Sequence, residues 1–381
     1  MFDPIDLAPE HQALRELVRR IADVHHRPLE EKVLRGERVQ AGDLVPGQDA
    51  ARAAGLAGIA VPAALGGAGM TALERAVATE EAARPLVPLR FPGSPFDQVF
   101  VTAPPEQRER FLFPLMRGEI EFCFAQTEPG GGSDPGRSIR TTAVRVDDTW
   151  VLNGNKVFIS EVANADHVLV VAVTDRDLRQ RGGFSLFIVD RDTPGLTIGR
   201  RIEMLGGFVT HEIFLDDCPV PRENVVGAEG SGFAGAQALL TSARLGVGAS
   251  SLGIASRACE MMIEHARTRE AFGSRLSDKQ AVQTAIADSW IEIHQARLVL
   301  YNAASRADLG NDVRVESGVV KMLGTEVAGR VIDRAIQVLG AAGASLDHPL
   351  AHWNGLQRLA RIYEGPTEVQ RHQVLVPRLL R

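Results

Sequence analysis

The chain has 381 residues, 45% of them hydrophobic and 24% charged, a balance that excludes a disordered or fibrous protein and leaves room for two or three packed cores. Its formal charge of −6 and pI near 6.0 give no basic footprint for nucleic acid. Cys123, Cys218 and Cys259 are far apart and form no CxxC pair, so they read as reduced thiols. The opening MFDPIDLAPEHQALRELVRR has acids throughout and no apolar run, unlike a secretory signal or a transit peptide, and a cytoplasmic protein is expected.

From residue 7 to about 118 the pattern is helical. Leu14, Leu17, Val18 and Ile21 share one 3.6-residue face, and Ala72 to Ala83 forms a further helix between Pro and Gly breaks. The period then shortens to two. Val144 and Val146 lead into an Asp147-Asp148 turn, Trp150 and Leu152 lead to Asn153-Gly154, which reads as a second turn signal, and strands follow at 167–173, 184–189 and 211–215. After Gly232 the helical period returns. Ile286, Trp290, Ile293 and Leu300 define one face, and Val320, Leu323, Val327, Val331, Ala335 and Val338 another, as in long antiparallel helices of a bundle. The expected domains are helical at 1–120, β at 121–229 and a helical bundle at 230–381.

GSGFAG at 230–235 fits G-x-G-x-x-G, but it lacks the βαβ setting of a dinucleotide fingerprint and reads as the joint between the β domain and the bundle. The helix it opens carries Arg244 as the sole charge between Gly230 and Ser256; it is expected to be a buried helix, since it lacks the greasy run of a membrane span. A lone guanidinium there needs a partner, either a structural carboxylate or a ligand. His348 and His352 stand four apart around Pro349 with no accompanying carboxylate, which favours a helix start over a metal site. In AQTEPGGGSD, 125–134, three glycines flanked by Thr127 and Ser133 bring backbone N–H groups close to an anionic or heteroaromatic ligand, or simply make a flexible loop. In RIYEGPTEVQR, 361–371, Glu364 precedes a Gly-Pro helix stop; it is either a solvated cap or a carboxylate whose pKa is raised by partial burial to serve as a base.

Together, QTEPGGGSD, NGNKVFIS, RTREAFG and IYEGPTEVQR resemble, in order and spacing, four motifs of the acyl-CoA dehydrogenase family, and the resemblance runs from about residue 10 to the end. It implies an α+β multidomain fold: an N-terminal helical domain, a middle β-barrel and a C-terminal four-helix bundle. It also implies an FAD-dependent oxidation of an acyl-CoA thioester to the trans-2-enoyl-CoA. Glu364 matches the base that takes the α-proton while hydride leaves for flavin N5, and its backbone N–H matches a donor to the thioester oxygen. Phe124, Gln126, Thr127, Gly132, Ser133, Phe158 and Ser160 match positions at the flavin or its diphosphate, as do Pro366 and Glu368. Arg269, Phe272, Gln280, Gln337 and Gly340 match positions that reach the FAD of a neighbouring subunit, which implies a homotetramer. Ser133, Thr241, Arg244, Tyr363 and Gly365 match substrate contacts, and an electron-transfer flavoprotein is the implied electron acceptor.

The departures are specific. Phe158 and Ser160 replace a tryptophan and a threonine, while Ala271 and Pro366 lack hydroxyls often found there. AIQVLGAAG at 335–343 points to a subgroup in which an aspartate often holds the base position, whereas this chain has Glu364. The same fold hosts acyl-CoA oxidases, flavin monooxygenases and non-catalytic partner subunits, and acyl-chain length is not legible.

Overall fold

The computed structural model describes residues 5–380. Two compact units emerge: a helical one from residues up to Leu56, Met70–Phe91 and Thr241 onward, and a β-rich one from Ala57–Gly69 and Pro92–Leu240.

In the helical unit, α1 (Pro9–His25) buries Val18 and Ile21, with Leu14 and Leu17 half-buried beside them. A second helix, α2, spans Ala41–Ala53. The third, α3 (Ala72–Ala82), starts where Thr71 and Glu74 form a reciprocal capping box, which satisfies amide groups the first turn leaves unbonded. Four later helices are α4 (Gly232–Thr268), α5 (Gln280–Asp308), α6 (Arg314–Leu339) and α7 (Pro349–Ala360). Ile293 and Leu300 of α5 and Val320, Val327, Val331 and Ala335 of α6 enter one core with Leu252, Ala255 and Met262 of α4 and Trp353 of α7. Those are the faces the helical spacing marks out, except that Trp290 stays outside this core.

By length and composition α4 is apolar enough to cross a membrane, contrary to the sequence expectation, and more than half of its apolar stretch is buried inside the protein. Its buried Arg257 is clasped by both carboxylate oxygens of Glu30, donates to the Arg84 carbonyl at 2.9 Å and lies over the Trp353 ring at 5.3 Å. Such partners are what a desolvated guanidinium needs. At the start of α7, His348 accepts from the Leu350 N–H at 3.3 Å and His352 Nε2 lies 2.9 Å from the Leu346 carbonyl oxygen, so the pair serves a helix start.

The β unit contains β1 (Phe122–Ala125), β2 (Thr142–Val146), β3 (Thr149–Ser160), β4 (His167–Val173), β5 (Phe184–Asp190), β6 (Leu196–Glu203), β7 (Val209–Pro221) and β8 (Val225–Val226). They form one eight-stranded sheet in the order β6-β7-β3-β2-β4-β5-β8, with β1 parallel to β4. The unbroken apolar run of β4 is buried on both faces. Val168, Val170 and Ala172 enter one core with Trp150 and Phe187, and Leu169, Val171 and Val173 enter another with Phe100, Phe111 and Phe184, as alternation of side chains across a sheet requires. Asp147-Asp148 is the two-residue turn between β2 and β3, with Val146 opposite Thr149. Asn153-Gly154 is not a turn: it lies inside β3, where the pairing with β7 shifts register. A Cβ on Gly154 would lie 2.7 Å from Thr141 Cα, and Gly154 adopts φ +154°, so this glycine makes a bulge against a neighbouring strand.

Candidate functional site

In the helical unit the chemistry gathers at the turn after α7. That helix ends at Ala360, four residues before Glu364 rather than at Gly365, because the Ile362 N–H bonds back to the Leu359 carbonyl at 2.7 Å and tightens the last turn. Glu364 and Gly365 then take φ +55° and +94°. Left-handed backbone is costly for a glutamate and persists only where surroundings impose it.

Three side chains impose it. Arg244 Nε donates to the Glu364 carbonyl at 3.0 Å, Lys321 Nζ donates to the Gly365 carbonyl at 2.9 Å, and Gln370 Nε2 donates to both, at 3.1 and 3.3 Å. The hydrogen-bond partner of Arg244 is therefore a backbone carbonyl, and the Glu364 carboxylate acts on it through its charge. Arg244 and Lys321 meet here because α4 and α6 approach closely one turn away. A Cβ on Gly324 would lie 2.9 Å from the Gly248 carbonyl oxygen, and one on Gly248 would lie 2.5 Å from Val320 Cγ1. Lys321 and Gln370 escaped the sequence reading.

The turn leaves two groups unengaged. Among the described residues, the Glu364 N–H donates to no acceptor, and its Oε2 is enclosed without a hydrogen-bond partner. Burial raises the Glu364 pKa above the ordinary 4.5, opposed by the charges of Arg244 and Lys321. Burial lowers the pKa of Lys321 to about 8, opposed by Glu364. Tyr363 is half exposed at this turn, and Thr241 stands one helical turn before Arg244 on α4. Pro366 precedes the helical turn Thr367–Val369, in which Glu368 is exposed.

Gly365→Ala tests the turn. A Cβ there would lie 2.3 Å from Gln370 Nε2, on backbone a side chain rarely adopts. Displacing a reacting group by an ångström costs up to about 10²-fold in rate, so a fall of at least tenfold in turnover, with melting temperature lowered only slightly, is the expected result.

In the β unit the glycine loop follows β1. Its root is a buried ion pair: Lys156 of β3, fully buried, donates to Glu128 Oε1 at 2.9 Å and to the carbonyls of Gln126 at 3.1 Å and Val171 at 2.8 Å. Glu128 also accepts from the Arg140 N–H at 2.6 Å and from the Thr141 N–H and hydroxyl at 2.9 and 2.6 Å. The acid of TEPG and the lysine of NGNK thus hold two motifs together, and the Val157 N–H adds a bond to the Thr127 carbonyl at 3.0 Å. Gln126 Oε1 is enclosed without a partner. Gly132 approaches Thr127 so closely that a Cβ would lie 3.3 Å from its Cγ2, and the Ser133 side chain is exposed. Phe124 is half-buried on β1 and Ser160 half-buried at the end of β3. At a second irregularity in β3, between Lys156 and Ile159, Phe158 adopts φ +59° and leaves its ring 52% exposed.

The residues expected to reach a neighbouring subunit are all exposed on the helical unit. Arg269 precedes, and Phe272 tips, the small hairpin of β9 (Glu270–Ala271) and β10 (Ser274–Arg275). Phe272 has φ +54° and its ring is 99% exposed. Gln280 opens α5, and Gln337 and Gly340 lie at the end of α6.

Comparison with known proteins assigns this architecture. Residues 8–119 match the N-terminal domain, 123–218 the middle domain and 230–376 the C-terminal domain of acyl-CoA dehydrogenase. The chain is 36% identical to (R)-benzylsuccinyl-CoA dehydrogenase of Thauera aromatica, over 97% of this chain and 95% of that protein. It is 35% identical to the caffeyl-CoA reductase-Etf complex subunit CarC of Acetobacterium woodii, over 83% and 85% of the two chains. Butyryl-CoA dehydrogenase from Megasphaera elsdenii superposes with a TM-score of 0.90 at 31% identity, covering 100% of both chains. The chain belongs to the acyl-CoA dehydrogenase family. It is an oxidoreductase acting on CH–CH bonds, with FAD as cofactor.

Proposed function

We propose that the protein dehydrogenates a saturated acyl-CoA to the trans-2-enoyl-CoA with Glu364 as the base. The supporting observation is the Glu364 turn, where an enclosed carboxylate oxygen has no partner and the adjacent amide N–H is unengaged. An α-proton beside a thioester becomes removable only when the charge that builds on the carbonyl oxygen is stabilised, and a fixed N–H donor contributes about 3 kcal/mol in comparable oxyanion sites. The Glu364 N–H serves that oxygen while its carboxylate takes the α-proton. Arg244 and Lys321 hold the turn rigid through its carbonyls.

The β unit suits a flavin: the unpartnered Gln126 Oε1, the close glycine turn at Gly132 and the exposed Phe158 ring match an amide-bearing heteroaromatic ring with a diphosphate tail. Within the β unit, Phe124, Gln126, Thr127, Gly132, Ser133, Phe158 and Ser160 would hold it. FAD, when bound, supplies the hydride acceptor for the β-carbon. Within the helical unit, Thr241, Tyr363 and Gly365 would contact substrate beside Arg244. A 99% exposed phenyl ring at Phe272 gains by burial against another surface, which supports a homo-oligomer in which Arg269, Phe272, Gln280, Gln337 and Gly340 complete a neighbour's cofactor site. The Etf complex to which CarC belongs supports an electron-transfer flavoprotein as acceptor.

Anaerobic addition of a panel of short, branched and aryl-substituted acyl-CoAs to the flavin-loaded protein is expected to bleach the flavin absorbance, and the reduced state is expected to persist when air is admitted. Rapid peroxide formation would make the protein an oxidase and overturn this reading.

A further inference from the structure

We propose that Lys321 is a positioning residue for the base: its ammonium fixes the Gly365 carbonyl and its charge keeps the neighbouring Glu364 carboxylate ionised in its enclosed site. The inference rests on Glu364 being the base. Lys321 is fully buried on α6, and the one hydrogen bond its ammonium makes among the described residues, at 2.9 Å, goes to the carbonyl next to Glu364. For the carbonyl alone a neutral donor would suffice, and Gln370 already supplies one. A buried ammonium costs several kcal/mol unless an opposite charge compensates it. The acids around it are Glu364, Glu326 and Glu368, with Arg244 opposing. Glu326 is engaged elsewhere, accepting from the Thr367 hydroxyl at 3.1 Å and lying 3.9 Å from Arg361. Glu368 is exposed. The acid left to compensate Lys321 is Glu364, which faces it through space rather than by a hydrogen bond: among the described residues its Oε2 has no partner, and Arg244 shares in favouring its ionised form.

A nearby positive charge favours the ionised carboxylate, so removing it shifts the pH at which the base becomes active. The rate of anaerobic flavin reduction by a competent acyl-CoA, measured against pH in the flavin-loaded enzyme, reads this directly. In the native protein the acid limb marks ionisation of Glu364. Lys321→Met removes donor and charge; Lys321→Gln keeps a donor and removes the charge. Both are expected to move the acid limb to higher pH by about one unit at retained flavin content, with Lys321→Gln keeping more of the plateau rate. If Lys321 only braces the turn, both variants lower melting temperature or plateau rate while the limb stays in place, and the proposal falls. Failure of both to fold also overturns it, leaving Lys321 as a residue of the fold. Glu364→Gln, measured in parallel, separates the two readings. A fully active Glu364→Gln removes the base itself, whereas an inactive one with unmoved limbs in the Lys321 variants removes only the role of Lys321.

Discussion

Glu364→Gln is expected to reduce the rate of flavin reduction by acyl-CoA by about 10²- to 10⁴-fold, the usual contribution of a positioned general base, without loss of bound flavin. The second half of that expectation comes from the structure. Among the described residues Oε2 has no hydrogen-bond partner, and the turn is held through backbone carbonyls, so an amide of the same size breaks no hydrogen bond that defines the site and removes only the charge that faces Lys321. The native pH profile follows by sign. Burial raises the Glu364 pKa above 4.5, and the base works only when ionised, so activity climbs with pH through that raised value, later than an exposed glutamate would allow. Stopped-flow reduction under argon provides the measurement. A Glu364→Gln variant that reduces its flavin at the native rate would remove the proposed chemistry.

Glu128→Ala carries the largest expected effect on stability. It strands the fully buried Lys156 ammonium together with the Thr141 hydroxyl and the Arg140 and Thr141 N–H groups. Breaking a buried pair from one side costs about 3–5 kcal/mol, a large share of the 5–15 kcal/mol that holds a typical domain folded. Since Glu128 sits inside the glycine loop, flavin retention is expected to fail as well, read as loss of the flavin absorbance on gel filtration. Glu128→Gln keeps an acceptor and should retain more of both. Although burial alone would raise the Glu128 pKa, Lys156 and Thr141 hold it below the ordinary 4.5. The stability it contributes is therefore full above that value and is lost as pH falls through the lower folded one. An unchanged urea midpoint for Glu128→Ala would refute the account.

What was legible in the sequence was whatever depends on neighbours along the chain. The switch from period 3.6 to period 2 and back is local, so the order of helices, strands and helices could be read directly, as could the Asp147-Asp148 turn and the buried faces of α5 and α6. Asn153-Gly154 misled because its conformation is set by Thr141, a residue on another segment. Arg244 could be marked as needing a partner, but its hydrogen bond goes to a carbonyl 120 residues away, and no side-chain pattern encodes a carbonyl. Lys156 and Lys321 stood unremarked because a lysine in an apolar run looks like an ordinary surface position until its burial is known. Motif resemblance supplied Glu364 and the glycine loop, while the structure shows why Glu128 and Lys156 belong to those motifs.

The Glu364–Gly365 turn has a consequence for the ligands it will prefer. Its carbonyl oxygens are occupied by Arg244, Lys321 and Gln370, whereas the Glu364 amide is open, so the backbone there offers a ligand hydrogen but no lone pair. A surface of that kind ranks compounds by the electron density on the oxygen they present. Thioester analogues that resemble an enolate should displace saturated acyl-CoAs of equal length, and analogues in which a methylene replaces the thioester carbonyl should bind no better than the rest of their chain allows.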